Sequence, residues 1–251
     1  MAELEIEEGA GALRVTLSRP PVNVLDIGTL RRLHEALRPL TARHDLKAVV
    51  LRSGVPGIFS AGMAVADHRR EHVAEMLEAA HEVFALLDTL PQVTVAAVDG
   101  SCLGGGCELA AFCDFLLATP RASFGLPEIG VGCFPPVGVA LLPALVGRAA
   151  AELVLIGDPV DAEEARRIGL VTRVVEDLDG ALEALLAGLT RHSGAVLARA
   201  RRALRQGTHG DFGEVLARME RIYLEDLLST EDVDEGVRAF LEKRAPHWRN
   251  R

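Results

Sequence analysis

Two short runs of apolar residues, 47–52 (KAVVLR) and 93–98 (VTVAAV), constrain the fold most. A strand without polar/apolar alternation is covered on both faces, and such strands belong to sheets flanked by helices. The intervening sequence supplies those helices. Leu30, Leu33, Leu37 and Leu40 recur at helical spacing behind Asp26, a good N-cap. Val73, Met76, Leu77, Ala80, Val83, Phe84 and Leu87 carry the same period through 70–90. Strands alternating with amphipathic helices predict an α/β core.

The rest of the chain extends this pattern and then changes it. Residues 12–17 (ALRVTL) alternate as a strand and end at Arg19-Pro20-Pro21. Residues 53–62 read as a turn-rich loop, 105–113 as a helix, 114–118 and 122–125 as short strands, and 127–138 as a Pro/Gly loop. Helices are expected over 138–156 and 161–168, with a short strand over 171–175. From 179 onward the pattern is helical: 180–191, 193–206, 211–228 and 231–243. The expectation is an α/β core with a C-terminal α-helical region.

Composition narrows the chemistry. Of 251 residues, 49% are apolar, enough for a sizeable core, and only 4% are aromatic. Few rings leave few platforms for stacked bases, and a net charge of −9 repels phosphates. A nucleic-acid partner is not expected. The densest basic run, Arg199, Arg201, Arg202 and Arg205, has the spacing of a helix's polar face. The four cysteines, at 102, 107, 113 and 133, form no CxxC pair and have no histidine at zinc-ligand spacing. They read as small, reduced, buried residues of a cytoplasmic protein, with no metal. The acidic N-terminus is not a signal peptide, and no run of ~18 apolar residues suggests a membrane span.

Three segments carry chemistry. In the first, Gly104-Gly105-Gly106 precede the helix that carries Glu108. Glycines permit close backbone approach, and free N–H groups at a helix start favour an anion or a developing oxyanion. The pattern is neither a Walker loop nor a dinucleotide fingerprint, and no GxSxG elbow is present. A packing turn with a dipole-complementing Glu108 is the plain alternative. In the second, Glu128 lies between Pro127 and Ile129 without a basic neighbour in sequence. That makes it a general acid/base candidate, against the plain reading of a solvent-facing glutamate. The third, residues 59–68 (FSAGMAVADH), offers small residues for a ligand to lie against. Asp67 and His68 are adjacent there, and adjacent residues rarely face each other as a dyad.

Together these pieces resemble the enoyl-CoA hydratase/isomerase, or crotonase, superfamily. The phrases LSRPPVNVLD, AVVLRSGVPGIFSAG, VDGSCLGGGCELAAFCD, FGLPEIGVG and GLVTRVV carry the resemblance over most of the chain, with Glu108 and Glu128 twenty positions apart. The resemblance implies a crotonase-like superhelix of ββα units over residues 1–190 and a helical trimerisation region over 191–251. It implies an acyl-CoA substrate, a homotrimer or dimer of trimers, and no cofactor beyond the coenzyme A of the substrate. By the same resemblance Glu108 and Glu128 would be catalytic, and the Met63 and Gly105 amides would form the oxyanion hole. Val22, Val24, Ala61, Ala64, Val65, Leu103, Gly104, Pro127 and Phe134 would contact the thioester, with Met63 and Phe134 lining the acyl pocket.

The chain departs from the family pattern at three places. Ala64 stands where an aspartate is usual, residues 134–140 (FPPVGVA) replace a PGxGGTQ loop, and the position near Pro21 lacks a lysine. The wording SAGMAVADH, CLGGGCELAAFCD and VGCFPPV resembles the branch of cyclohexa-1,5-diene-1-carbonyl-CoA hydratases. Hydration of an α,β-unsaturated acyl-CoA is therefore expected. An isomerase, hydrolase or dehydratase on the same scaffold, or a non-catalytic acyl-CoA- or RNA-binding relative, are the alternatives.

Overall fold

The computed structural model describes residues 3–209 and 212–248. The chain begins with a hairpin, β1 (Leu4–Gly9) and β2 (Ala12–Leu17), and continues into α1 (Ile27–Leu37). The Asp26 side chain accepts the Thr29 amide at 2.8 Å, so the expected N-cap is present. Leu30, Leu33 and Leu37 turn inward. Three strand–strand–helix units follow. The first is β3 (Ala48–Ser53), β4 (Ile58–Ser60) and α2 (Val73–Thr89). The second is β5 (Val93–Val98), β6 (Ser101–Leu103) and α3 (Gly105–Ala111). The third is β7 (Phe115–Ala118), β8 (Ser123–Gly125) and α4 (Pro136–Val146).

Within each unit the first strand joins one sheet and the second joins another. The larger sheet has the order β1-β2-β3-β5-β7-β10, and the smaller has β4-β6-β8-β9. Here β9 is Val160–Asp161 and β10 is Arg173–Val174. The units thus stack in chain order as a superhelix, the arrangement that the resemblance implies. Strand β5 is buried at every position and β3 at its first four, as apolar runs covered on both faces should be.

Helices α5 (Ala149–Leu155), α6 (Ala162–Arg167), α7 (Leu178–Thr190), α8 (Gly194–His209), α9 (Phe212–Arg221) and α10 (Glu231–Leu241) complete the described chain. Phe212 and Leu216 of α9 are buried in the main hydrophobic core.

Several sequence expectations are corrected. Residues 4–9 form a strand, since pairing with β2 covers its backbone despite the acidic side chains. The loops over 53–62 and 99–104 each hold a three-residue strand, too short for any periodicity to reveal. The helix expected over 138–156 is two helices, broken at Gly147 with φ 57°. The helix expected over 211–228 begins at Phe212 and ends at Arg221, giving way to a π-helical turn at Ile222–Asp226; Asp211 lies outside the described residues. The arginine face of α8 is not solvated throughout. Arg201, 4% exposed, binds Asp114 at 2.5 Å and the carbonyls of Leu87, Asp88 and Leu90. Arg205 reaches Asp114 and the Phe112 carbonyl.

Candidate active site

Three parallel neighbours, β4, β6 and β8, bring the site together. Ser60 pairs with Cys102, and Leu103 pairs with Gly125, so the strands end side by side. Three loops therefore leave one edge: residues 61–65, the Gly104 turn into α3, and the 3₁₀ turn Pro127–Val131. Ligands of α/β sheets bind beyond the carboxyl ends of strands for this reason.

Glycine is required where these loops meet. Gly104 has φ 52°, and its amide donates to Gly125 O at 2.9 Å, pinning the start of α3 to the end of β8. A Cβ on Gly62 would stand 2.9 Å from Leu103 O and 3.1 Å from Gly105 N. A Cβ on Gly105 would stand 2.5 Å from Met63 Cε. The two backbones are thus in direct contact, with the Met63 thioether over Gly105. The bridge between Leu25 and Met63 uses the Leu25 and Ala64 amides, which donate to Gly62 O and Leu25 O. The Met63 amide is left outside that pairing, and the Gly105 amide opens α3 with no earlier helical carbonyl to meet. Adjacent donors of this kind can stabilise a developing oxyanion.

The Val22 carbonyl accepts the Ala61 amide at 2.9 Å, so Val22, Val24, Ala61, Ala64 and Val65 form one continuous wall. Asn23, buried with φ 50°, organises it. Its amide group donates to Ser53 Oγ and Phe59 O, and its Oδ1 accepts the Arg19 amide.

The two carboxylates face a common cavity. Glu108, 4% exposed within fully buried α3, accepts the Gly138 amide on Oε1 at 2.7 Å. Burial pushes its carboxyl up to about 7, against the lowering effect of the Gly138 and Val137 amides. Burial also raises the Glu128 carboxyl, to about 8, with the nearby Glu108 charge adding to it. Glu128 Oε2 is buried without a hydrogen-bond partner. Glu108 also lies in the first turn of α3, and Glu128 turns at least one carboxylate oxygen away from solvent. The cavity they share, of about 20 Å³, is room for one water. Met63 and Phe134 also line it.

Comparison with known proteins decides the family. The family description Enoyl-CoA hydratase/isomerase matches residues 7–251. The chain belongs to the enoyl-CoA hydratase/isomerase family. The cyclohexa-1,5-dienecarbonyl-CoA hydratase of Thauera aromatica is 37% identical, over 98% of this chain and 96% of its own. The 2,3-dehydroadipyl-CoA hydratase of Escherichia coli K12 is 34% identical over the whole of both chains. An enoyl-CoA hydratase structure from Mycobacterium avium subsp. paratuberculosis superposes with a TM-score of 0.88 at 26% identity, covering 99% of each chain.

Within this family member, Asp67 and His68 form no dyad. Asp67 accepts the Ile27 amide, while His68 Nδ1 contacts Ala64 O at 3.1 Å and its ring lines the cavity. Leu103 is half-buried at the turn into α3, and Pro127 is exposed at the start of the 3₁₀ turn. A wider recess, about 880 Å³ beside α8, is lined by neither glutamate. The cysteines are free thiols. Three contributors escaped the sequence reading: the Gly138 amide, His81 and Tyr223. His81 is hidden in the apolar period of α2, and Gly138 acts through its backbone. Tyr223 is the chain's one tyrosine, which was the available signal.

Proposed function

We propose that this family member is a hydro-lyase that adds water across the α,β double bond of an acyl-CoA thioester. The observation that carries this reading is the convergence of two buried carboxylates on a water-sized cavity beside the Met63 and Gly105 amides. The thioester carbonyl would accept hydrogen bonds from those amides, which stabilise the enolate as charge moves onto its oxygen. Donors of this kind contribute ~3 kcal/mol each. Glu108, oriented by Gly138, would hold the water and take its proton as oxygen bonds to the β carbon. Glu128 would deliver a proton to the α carbon. One proton enters with the water and one leaves for carbon, so the pair ends with the proton count it began with. The step is redox-neutral and the thioester is its own electron sink, so the reading includes no metal or cofactor.

Coenzyme A would lie along Val22, Val24, Ala61, Ala64 and Val65, with Leu103, Gly104, Pro127 and Phe134 around the acyl end. The 37% identity to the Thauera aromatica enzyme, together with the branch-like wording of the SAGMAVADH and VGCFPPV segments, favours a cyclic diene as the acyl group. The protein would act in the cytoplasm; no described helix is long and apolar enough to cross a membrane. We also propose a homotrimer or dimer of trimers. Large apolar side chains exposed outside the core, including Leu155, Ile156, Val196 and Phe240, support contacts between copies. Sedimentation at graded concentration tests this, and a monomer at all concentrations contradicts it.

Mass spectrometry of crotonyl-CoA and cyclohexa-1,5-diene-1-carbonyl-CoA after incubation with the protein tests the substrate. Faster gain of one water by the cyclic diene supports the branch. Gain mainly by crotonyl-CoA makes this a general enoyl-CoA hydratase. No gain by either overturns the hydratase reading for both.

A further inference from the structure

Four buried side-chain oxygen or nitrogen atoms among the described residues lack a hydrogen-bond partner: His81 Nε2, Gln92 Oε1, Glu128 Oε2 and Tyr223 Oη. Three of these four residues, all but Gln92, line the cavity between the two glutamates. Buried polar groups are ordinarily paired, so this concentration calls for a polar atom inside the cavity, supplied by a water or by a ligand that displaces it. Glu128 belongs to the reaction already described. His81 and Tyr223 do not.

Both are built in. His81 projects from α2, and its Nδ1 lies 3.1 Å from Glu220 Oε2 on α9. A carboxylate only accepts, so this contact places the proton on Nδ1 and leaves Nε2 as an acceptor. Burial lowers the imidazole's affinity for a second proton, with the Glu220 charge opposing, which keeps the ring neutral. Tyr223 is 1% exposed, packs at a tilt with its ring 5.1 Å from that of Phe134, has the Cys133 thiol beside its hydroxyl, and sits in the π-helical turn Ile222–Asp226. Such turns re-aim side chains and recur at functional sites. Its neutral hydroxyl, held far from ionisation by burial, is a donor. The wall thus presents one acceptor and one donor. A hydroxyl group complements that pair, since it donates to Nε2 and accepts from the phenol. A carboxylate cannot donate to Nε2, so it does not complement the pair.

Resting on the acyl-CoA reading, we propose that His81, held by Glu220, and Tyr223 form a hydroxyl-recognition site in the acyl pocket, selecting alcohol-bearing acyl groups over pure hydrocarbons. A site built to hydrogen-bond a hydroxyl rejects the analogue without it because its own polar atoms stay unpaired.

Saturated thioesters test this without turnover. Calorimetric titration would compare cyclohexanecarbonyl-CoA with its 2-, 3- and 4-hydroxy derivatives, using wild type, Tyr223→Phe and His81→Leu. At least one hydroxy isomer should bind about 10-fold or more tightly than the parent. That ratio should fall toward one in both variants, while the parent's affinity changes little or improves. Equal affinity of the parent and all three isomers for the wild type overturns the proposal and leaves the acyl-CoA reading intact. A hydroxyl preference that survives in Tyr223→Phe and in a second imidazole variant, His81→Gln, also overturns it. Failure of every thioester to bind overturns the acyl-CoA reading itself, and this inference with it.

Discussion

The Gly138 amide donates to Glu108 Oε1 at 2.7 Å, so the glutamate on α3 is aimed by the first turn of α4. The bond fixes one carboxylate oxygen and leaves the other for chemistry. Two buried carboxyls in one cavity titrate as a coupled pair. Both are raised above the ordinary value of 4.5, to about 7 and about 8. The dependence of kcat/KM on pH should therefore break within about one unit of neutrality or just above it. A profile flat from about pH 6 to 9 contradicts a catalytic role for the pair.

The same shifts predict a stability effect, with a definite sign. A carboxyl raised on folding holds a proton that the unfolded chain releases. Its stabilising contribution is complete below 4.5 and disappears as pH rises through about 8 for Glu128. Glu128→Gln removes the cost of ionising that site. Relative to wild type, the variant's Tm should be a few degrees higher at about pH 9 and nearly equal at about pH 5. Calorimetry at the two pH values checks it, and a uniform offset argues against the raised value.

Gly105→Ala should damage chemistry more than binding. The added Cβ would stand 2.5 Å from Met63 Cε and 2.8 Å from Met63 Cγ, so the Met63 side chain over the Gly105 amide must shift. Misplacing one oxyanion donor costs roughly 10²–10³-fold in kcat. Affinity for a saturated acyl-CoA, which develops no oxyanion, should change far less. Equal losses in both would assign Gly105 to ground-state binding.

Arg201→Ala tests the anchor of α8. The substitution leaves three carbonyls at the end of α2 and just beyond it without the Arg201 donors, while Asp114 keeps Arg205 and Thr94. Leaving buried carbonyls unsatisfied in this way costs about 1–3 kcal/mol. Denaturant unfolding should show that loss while kcat is retained at temperatures where the variant is folded. A stability change below about 1 kcal/mol would return Arg201 to the solvated face that its spacing suggests.

The legible parts of this molecule are those that repeat or carry chemistry on adjacent residues. Strands β3 and β5 follow from unbroken apolar runs, and helices α1 and α2 from apolar period. Glu108 and Glu128 stand out from their glycine- and proline-rich surroundings, whereas Met63 and Gly105 were indicated only by the family resemblance. Strands β4 and β6 did not, because three residues hold no period and their identity comes from neighbours across the sheet. The break at Gly147 was hidden by apolar residues on both sides. Arg201 shows the limit of reading charge along one helix, since its partner Asp114 is 87 positions away. His81 and Tyr223 became visible only when folding placed α2 and the chain after α9 on one cavity.

The most direct test of the central claim is hydration of an enoyl-CoA in deuterium oxide by wild type and Glu128→Gln, followed by mass spectrometry and NMR. If Glu128 delivers the α proton, wild-type product carries one deuterium at the α carbon. The variant should bind the thioester, yet lose roughly 10²–10⁴-fold in both hydration and deuterium incorporation. Wild-type rates of both in Glu128→Gln would contradict the account.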